Sequence, residues 1–348
     1  MDKRSQGAVE RGAGGPLGRR KPGMDKAAGI WSMGPAPQEP MKPKIVVVGS
    51  FVRDLSFRCA SFPAAGETVL GTFATGPGGK GSNQAVAAAR AGAPVRFVGA
   101  VGRDNLGREA ALFLKSEGID ACLPAKPRYS TAAAMILVDS SGQNEIVVAL
   151  GASAVLSPRN VPASLLRGAR VVICQGEANN AVNMHSFRLA RRLGATTVLN
   201  PAPMGPAFDR RILALTDILV PNESEFAALT AHRPAGSMEA LHKAARSLGV
   251  PTVVVTLGES GCLVSAPDGW AAIPSHRVRA VDTTGAGDAF VGGLAAGLVR
   301  FGGDILRAAR FGNATAALSV TRPGTAPSMP RLREIDRLLR SRSRAGSP

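Results

Sequence analysis

The chain has 348 residues, 45% of them hydrophobic, which is enough for one large α/β domain with a sizeable core. No apolar run reaches the ~18 residues of a membrane helix, so we expect no membrane association. The formal net charge is +17, but residues 1–43 and 331–348 carry +8 of it, and only 4% of the residues are aromatic. A stacking surface for single-stranded nucleic acids is therefore not expected, and nucleic-acid binding is poorly supported.

The cysteines predict a reducing compartment. Cys59, Cys122, Cys174 and Cys262 are far apart in the sequence and form no Cys-x-x-Cys pair. The four histidines show no metal-ligand spacing either. We therefore expect buried, reduced thiols rather than disulfides or a zinc site, and a cytoplasmic protein.

Both ends of the chain differ in composition from its middle. Residues 1–43 are rich in Gly, Pro, Ala and basic residues and show no apolar periodicity, which predicts a disordered basic extension. They contain no apolar segment of the secretory type. Residues 336–348 are predicted to form a basic C-terminal tail. The folded domain is expected to span residues 44–335.

Apolar runs and helix-like segments alternate along that domain. The run Lys44-Ile45-Val46-Val47-Val48-Gly49-Ser50 is typical of a buried parallel strand that enters a functional loop. Further strands are predicted at 95–101, 171–174, 197–199, 218–220 and 253–256. Helices are predicted at 83–91, 107–117, 181–193, 223–230 and 237–248. This alternation predicts an α/β fold with a mostly parallel sheet covered by helices on both faces, and ligands that bind beyond the carboxyl ends of the strands.

Two stretches, about 52–75 and 130–150, interrupt the alternation. The second contains strand-like segments at 134–138 and 144–148, separated by Asp139-Ser140-Ser141-Gly142, and this pattern predicts a β-hairpin. Together the two stretches are expected to form a small β-sheet beside the main one. Such a sheet could act as a lid that excludes water from a reaction.

A turn of small residues precedes a predicted helix at 289–299. In Val281-Asp282-Thr283-Thr284-Gly285-Ala286-Gly287-Asp288-Ala289-Phe290, backbone N–H groups can point at one place, and the helix N-terminus adds positive potential there. The turn therefore predicts an anion site, most simply for phosphate. Asp288 at its rim could take a proton from an attacking hydroxyl, or it could only cap the helix.

A second glycine-rich stretch, Gly76-Pro77-Gly78-Gly79-Lys80-Gly81-Ser82-Asn83-Gln84-Ala85, precedes another predicted helix. Glycines allow a ligand to approach the backbone closely. Asn83 offers a donor and an acceptor to a polyol, and Lys80 adds a positive charge. The alternative is a flexible loop with a helix cap.

The segments Gly78–Ala85 and Asp282–Asp288 resemble the two signatures of the PfkB-type, ribokinase-like sugar kinases. The resemblance covers about residues 44–335. It extends to further motifs in the same order, namely Gly66-Glu67-Thr68, Asn200-Pro201-Ala202-Pro203, Pro221-Asn222-Glu223-Ser224-Glu225, Thr256-Leu257-Gly258 and Val320-Thr321-Arg322-Pro323-Gly324. A family member of this kind is expected to have a ribokinase-like fold with a small β-sheet lid, and to form a homodimer.

The resemblance implies roles for matching residues. Asp288 would be the catalytic base, and the backbone of Gly285, Ala286 and Gly287 would stabilise the transferred phosphoryl group. The sugar would be bound by Val52, Asp54, Gly79, Lys80, Gly81, Asn83, Glu177 and Asp288. ATP and hydrated Mg²⁺ would be held by Asn222, Glu225, Thr256, Gly258, Gly261, Gly287 and Asn313. A K⁺ site would involve Asp282, Thr284, Ser319, Arg322, Gly324 and Ser328.

One position departs from the family pattern. Members that bind ribose have an Asn two residues before the aspartate that matches Asp54, whereas this chain has Val52. A valine cannot hydrogen-bond a hydroxyl, and a buried hydroxyl without a partner costs about 1–3 kcal/mol. The alternative is a loop shift by which Phe51 or Arg53 takes the place of the missing Asn.

The expected function is ATP-dependent phosphorylation of D-ribose at its 5-hydroxyl. 2-Deoxyribose is the second candidate substrate, followed by a nucleoside or another sugar of PfkB-type kinases. A sugar-binding regulator without catalysis is the rival from another class. It is opposed by Asp288, Asn222 and Glu225, which a simple binding protein does not need.

Overall fold

The computed structural model describes residues 43–231 and 237–345, with side chains described up to residue 341. The strands are β1 Ile45–Val48, β2 Val52–Cys59, β3 Gly71–Gly78, β4 Val95–Val98, β5 Asp120–Cys122, β6 Ala133–Val138, β7 Asn144–Ala149, β8 Val171–Gln175, β9 Thr196–Asn200, β10 Ile218–Leu219, β11 Thr252–Thr256, β12 Cys262–Ala266 and β13 Gly269–Ile273. The α-helices are α1 Lys80–Arg90, α2 Asn105–Ser116, α3 Gly151–Ala154, α4 Ala163–Leu166, α5 Asn180–Arg192, α6 Glu223–Thr230, α7 Met238–Arg246, α8 Ala286–Arg300, α9 Ile305–Ser319 and α10 Leu332–Ala345. Short 3₁₀ helices lie at Pro158–Asn160, Arg210–Leu215, Gly258–Ser260 and Ala326–Ser328.

The main sheet has nine strands in the order β13-β12-β11-β10-β9-β8-β1-β4-β5. All neighbouring pairs from β11 to β5 are parallel, whereas β12 and β13 are added in antiparallel orientation at one edge. This arrangement confirms the predicted mostly parallel sheet. The apolar run of β1 lies near its centre.

Helices cover both faces of this sheet. Along β1, Ile45 and Val47 pack into one hydrophobic core, and Val46 and Val48 pack into another. Successive side chains of a strand point to opposite faces, so a strand buried on both faces must be apolar throughout. The first core includes residues of α1, α8 and α9, and the second includes residues of α5 and α7.

The small sheet has four strands in the order β3-β2-β6-β7, as the two interrupting stretches predicted. The predicted hairpin is β6–β7. Strand β3 continues to Gly78, beyond the predicted end of the lid at residue 75, because its backbone pairs with β2 from Gly71 opposite Cys59 to Gly78 opposite Val52. The glycine-rich stretch is therefore partly strand rather than a free loop. Strand β3 is an edge strand of the small sheet, and it ends at Gly78, two residues before α1 begins at Lys80.

The C-terminal boundary was predicted wrongly. Residues 336–345 continue α10 instead of forming a tail. The helix extends because its apolar side chains face the core, with Ile335 buried and Leu338 and Leu339 packed against it. The predicted N-terminal extension lies outside the described residues except for Pro43. Within the described ranges, every helix is too short or too polar to cross a membrane.

Candidate active site

The predicted site residues meet where strands of the main sheet end and helices α1 and α8 begin. Asp288 lies in the first turn of α8 and is only 6% exposed. Its Oδ2 accepts a hydrogen bond from Asn83 Nδ2 at 3.1 Å, and its Oδ1 accepts one from Gln84 Nε2 at 2.9 Å. The N-cap of α8 is Gly285, without a side-chain cap. Asp288 is therefore not the helix cap, and its carboxylate is held by two residues of α1.

Asn83 has one polar atom left for a ligand. Its Nδ2 is bonded to Asp288, while its buried Oδ1 has no hydrogen-bond partner within the described part of the chain. A buried acceptor without a donor costs about 1–3 kcal/mol. A sugar hydroxyl that donated to this oxygen would remove that cost. The residue is thus suited to a polyol.

Asp54 and Glu177 place two further carboxylates near Asp288. Burial raises the pKa of Asp54 to about 6, and Glu177 and Asp288 add to the rise while Arg53 opposes it. Burial also raises the pKa of Glu177, although hydrogen bonds from Ser50 and from the backbone N–H of Lys80 oppose this. Carboxylates with such environments are typical of functional sites.

Lys80 lies among the carboxylates at the start of α1. Burial alone would lower its pKa, but Asp288, Glu177 and Glu225 hold the pKa above the ordinary value of lysine. Its neighbour Gly79 has φ +90°, and a Cβ at that position would be 2.7 Å from the backbone nitrogen of Val52. A larger residue would push α1 away from β2. Gly81 is equally close to the backbone of Ser50.

The turn before α8 has the shape that an anion site needs. Gly285 adopts φ +80°, which favours glycine, and a Cβ there would lie 3.3 Å from Cα of Thr325. A Cβ on Gly287 would meet nothing within 4 Å, so this face of the turn is open. The N–H of Ala286 donates to Thr283 O at 3.2 Å. Ala286 therefore already has a partner, whereas the first-turn N–H of Gly287 has none within the helix.

Asn222 and Glu225 form a reciprocal capping box at the start of α6. Glu225 accepts from the Asn222 N–H at 2.9 Å, and Asn222 Oδ1 accepts from the Glu225 N–H at 2.9 Å. Burial raises the pKa of Glu225, against the hydrogen bond from Asn222 and the charge of Lys80. Asp288, Glu177 and Glu225 thus place excess negative charge around Lys80. A phosphate ligand would need a divalent cation here, and oxygen donors of this type suit Mg²⁺.

The predicted nucleotide residues lie along the antiparallel edge of the main sheet. Thr256 ends β11 and donates from its N–H to Pro221 O, next to Asn222. Gly258 begins the short 3₁₀ helix after Thr256, and Gly261 follows that helix. Both glycines have a positive φ. Asn313 is buried on α9 and donates to Ile273 O at 3.1 Å. It lines a cavity of about 260 Å³ together with Pro274, His276, Arg310 and Leu339.

The residues predicted for K⁺ come together behind the turn. Oδ1 of Asp282 accepts from the Thr284 N–H and Oδ2 from the Gly324 N–H, both at 2.9 Å. Burial alone would raise the pKa of Asp282, but these hydrogen bonds hold it below the ordinary value. Ser319 lies at the end of α9, and its carbonyl accepts from the N–H of Arg322. The Ser328 hydroxyl donates to Thr325 O, in the 3₁₀ helix that follows Gly324. In the parts of the chain that the structure describes, no cluster of three His, Cys, Asp or Glu suits a metal ion.

Comparison with known proteins identifies the family. The model of the pfkB family carbohydrate kinases matches residues 42–332. Ribokinase of Mus musculus is 39% identical over 311 residues, which cover 86% of this chain and 95% of that protein. The chain belongs to the PfkB family of carbohydrate kinases. It is a sugar kinase with a ribokinase-like fold.

Two further relatives are a deoxyribokinase and a ribokinase solved with ribose and ATP. A deoxyribokinase of Salmonella typhi is 35% identical over 302 residues, covering 85% of this chain and 98% of that protein. The structure of Arabidopsis thaliana ribokinase complexed with ribose and ATP has a TM-score of 0.78 and 31% identity, covering 86% of this chain and 99% of that one.

The kinase also contains polar contacts that the sequence did not predict. Gln84 bonds to Asp288, Ser50 bonds to Glu177, and Asn200 bonds to Gln84. Ser50 and Asn200 follow or end strands that were predicted, so their position at the ligand edge of the sheet could have marked them. Gln84 belongs to the glycine-rich segment Gly78–Ala85, but no local feature of the sequence indicates that its side chain faces Asp288. A separate cavity of about 370 Å³ is lined by Glu177 but by none of Asp54, Asn83 and Asp288.

The raised pKa of Asp54 leads to a pH-dependent prediction for this kinase. The carboxylate form of Asp54, which could accept hydrogen bonds from sugar hydroxyls, predominates only above about pH 6. If only that form binds, the dissociation constant should rise about tenfold from pH 7.5 to pH 5, because about one tenth of the sites remains ionised. Calorimetric titration of the sugar without nucleotide measures this. Asp54→Asn is the control and should bind weakly at every pH, and a flat wild-type profile would contradict the assignment.

Proposed function

We propose that this kinase transfers the γ-phosphoryl group of ATP to the 5-hydroxyl of D-ribose, giving ribose 5-phosphate and ADP. The observation that carries the proposal is the buried carboxylate of Asp288, held by Asn83 and Gln84 beside the open turn at Gly287. The likeness to ribokinases supports ribose as the acceptor. The proposed site residues are those named from the sequence.

In the proposed mechanism, Asp288 takes the proton of the 5-hydroxyl as the oxygen attacks the γ-phosphorus. The bond from phosphorus to the β,γ-bridging oxygen breaks, and ADP leaves in line. Backbone N–H groups of the turn at Gly285–Gly287 would stabilise the charge on the transferred group. Asp54, Asn83 and Glu177 would hold the other hydroxyls, which fixes the 5-hydroxyl near Asp288.

Different groups of residues would hold the two proposed cations, Mg²⁺ and K⁺. Mg²⁺ would be held through water by Glu225 and Asn222, and when bound it neutralises phosphate charge; the excess carboxylates around Lys80 support it. K⁺ would lie near Asp282, Thr284, Ser319, Arg322, Gly324 and Ser328 and keep the turn in shape. Equal rates in K⁺ and Na⁺ at matched ionic strength would remove K⁺ from the proposal.

The direct test is ADP release with Mg-ATP and single sugars. D-Ribose, 2-deoxyribose and a nucleoside should be compared with a reaction that lacks sugar. We expect sugar-dependent ADP release and ribose 5-phosphate as the product, identified by mass and by its resistance to further phosphorylation. Ribose binding without ADP release would instead support a non-catalytic regulator.

The surroundings of Val52 favour 2-deoxyribose as a second candidate. Val52 is 2% exposed, shares a strand face with Asp54 and packs with Ala132 and Ala134. The residues before and after Val52 in the sequence do not replace the missing Asn. Phe51 is buried in the core, and Arg53 donates to Thr75 Oγ1 at 2.7 Å. The likeness to a deoxyribokinase supports the same alternative.

Val52→Asn should raise kcat/KM for ribose relative to 2-deoxyribose by roughly 3- to 30-fold, because one neutral hydrogen bond is worth about 0.5–1.5 kcal/mol and more when buried. The measurement is kcat/KM for both sugars with both proteins. Val52→Leu is the matched control, since it changes size without adding a hydrogen-bonding group, and it should leave the ratio unchanged. The same ratio in all three proteins would show that position 52 does not read the sugar.

The small sheet supports a homodimer. It exposes apolar side chains on β2, β3, β6 and β7, namely Phe57, Phe73, Met135, Ile146, Val147 and Val148. Exposed apolar surface of this kind marks an interface, and here a second copy of the chain is the proposed occupant. A monomer in sedimentation equilibrium at micromolar concentration would contradict this. A cytoplasmic location is proposed from the four free cysteines, and its test is localisation of a tagged full chain.

A further inference from the structure

Buried side-chain amides connect the ends of two strands to Asp288. Gln175 ends β8 and donates from Nε2 to Gln84 Oε1 at 2.8 Å. Gln84 on α1 donates from Nε2 both to Asp288 Oδ1 at 2.9 Å and to Asn200 Oδ1 at 3.1 Å. Gln84 and Gln175 are completely buried, and Asn200 at the end of β9 is 7% exposed. Water therefore does not compete for these bonds.

The donor and the acceptor of every hydrogen bond in this network of side-chain amides follow from one backbone carbonyl. Asn200 Nδ2 donates to Val220 O at 2.9 Å, and a carbonyl can only accept. Asn200 must therefore turn its oxygen toward Gln84. Gln84 must then offer its NH₂ group to Asn200, which leaves the second hydrogen of that group for Asp288. Its oxygen is left for Gln175.

Both amides therefore point their NH₂ groups at Asp288, but only the Gln84 amide is also fixed by a further acceptor, Asn200 Oδ1. A flipped Gln84 amide would set its oxygen against Asn200 Oδ1 and Asp288 Oδ1 at once. Asn83, by contrast, has a buried Oδ1 without a partner in the described residues, so only its bond to Asp288 orients its amide. The orientation of the carboxylate is thus set from the Gln84 side.

Gln175 holds Gln84 from the opposite direction and lies against Gly49. A Cβ on Gly49 would lie 2.1 Å from Gln175 Oε1, so this amide occupies the space that a side chain at position 49 would need. Its Oε1 has no hydrogen-bond partner among the described residues, so the side-chain amide of Gln175 is held by its Nε2 bond to Gln84. The two strand ends therefore clamp the Gln84 amide between them.

We propose that Gln84 is a positioning residue for Asp288. The Val220 carbonyl sets the orientation of the Gln84 side-chain amide through Asn200. The inference rests on the proposed function, since it assumes that Asp288 is the base. The amide keeps one carboxylate oxygen occupied and so directs the other lone pairs toward the sugar hydroxyl. Without it the carboxylate rotates, and displacement of a catalytic group by about 1 Å can cost 10²-fold in rate.

The first test is Gln84→Met, which keeps the length of the side chain and removes the amide. We expect kcat to fall about 10- to 100-fold while the KM values for sugar and ATP stay within about threefold, because Asp54, Asn83 and Glu177, which are proposed to hold the other hydroxyls, are not changed. Thr197→Val is the matched control, a buried polar residue of β9 bonded to Leu215 and Asp217 at the other end of the strand. It should lower stability without changing kcat.

The second test uses the coupling to Asn200. Asn200→Leu removes the acceptor that orients Gln84, and we expect kcat about 3- to 10-fold lower with unchanged KM values. Combined with Gln84→Met it should cause no further loss, since Asn200 acts through Gln84. This variant also tests the proposal if Gln84→Met does not fold.

The outcomes separate the two proposals. Sugar-dependent turnover by the wild type, with Gln84→Met or Asn200→Leu within twofold of its kcat, overturns the positioning role and leaves the proposed function intact. Multiplying effects in the double variant overturn it as well. A wild type that releases no ADP with any sugar overturns both.

Discussion

Replacing Asp288 by Asn is expected to lower kcat at least ~10²-fold, the low end for loss of a general base. An amide of the same shape cannot take the hydroxyl proton. The variant should still fold, because Asn83 can turn its unpartnered Oδ1 toward the new NH₂ group, whereas Gln84 keeps its direction. Sugar affinity should weaken only severalfold, since Asn83 then presents a donor where it presented an acceptor.

The measurements for Asp288→Asn are kcat from ADP release and the sugar dissociation constant from calorimetry. Asn83→Ala serves as the comparison, since it removes a sugar contact and a carboxylate partner while leaving the base in place. It should weaken sugar binding more than Asp288→Asn does but lower kcat less. Turnover of Asp288→Asn within a few-fold of the wild type would show that Asp288 is not the base.

Gly285→Ala is expected to lower kcat about 10- to 100-fold, because it moves the backbone N–H donors of the turn at Gly285–Gly287. Gly285 adopts φ +80°, and a Cβ there would be 3.3 Å from Cα of Thr325. The alanine must either accept about 1–2 kcal/mol of left-handed strain or shift the turn. A shift moves the N–H of Gly287 away from the phosphoryl group. The free energy of unfolding should fall by a similar 1–2 kcal/mol.

Gly302→Ala is the matched control for backbone strain. Gly302 lies after α8 with φ +67°, and a Cβ there would meet nothing within 4 Å. Its substitution should cost comparable stability in urea unfolding and leave kcat unchanged. If both variants lost activity in proportion to stability, the turn would have no special part in phosphoryl transfer.

Local patterns were sufficient for most of the fold. The apolar run of β1, the β6–β7 hairpin and α6 at Glu223–Thr230 match their predictions because each depends on short-range periodicity and on turn or capping residues. The end of β3 and the extent of α10 were missed for the opposite reason. Gly76-Pro77-Gly78 pairs with β2, and Leu338 and Leu339 of α10 pack against the core, so both depend on distant partners.

The sequence by itself determined the family and the strand–helix alternation and indicated the chemical groups of the candidate site, since motif residues carry these regardless of their neighbours. Only the tertiary structure decided how those groups face one another. Asp288 is oriented by bonds that join residues 204 and 205 positions apart, and Gln84 is oriented by Asn200, 116 positions away. No local pattern records such contacts. They arise because parallel strands end and helices begin at one edge of the sheet. Polar atoms that are buried there must find hydrogen-bond partners in the protein rather than in water.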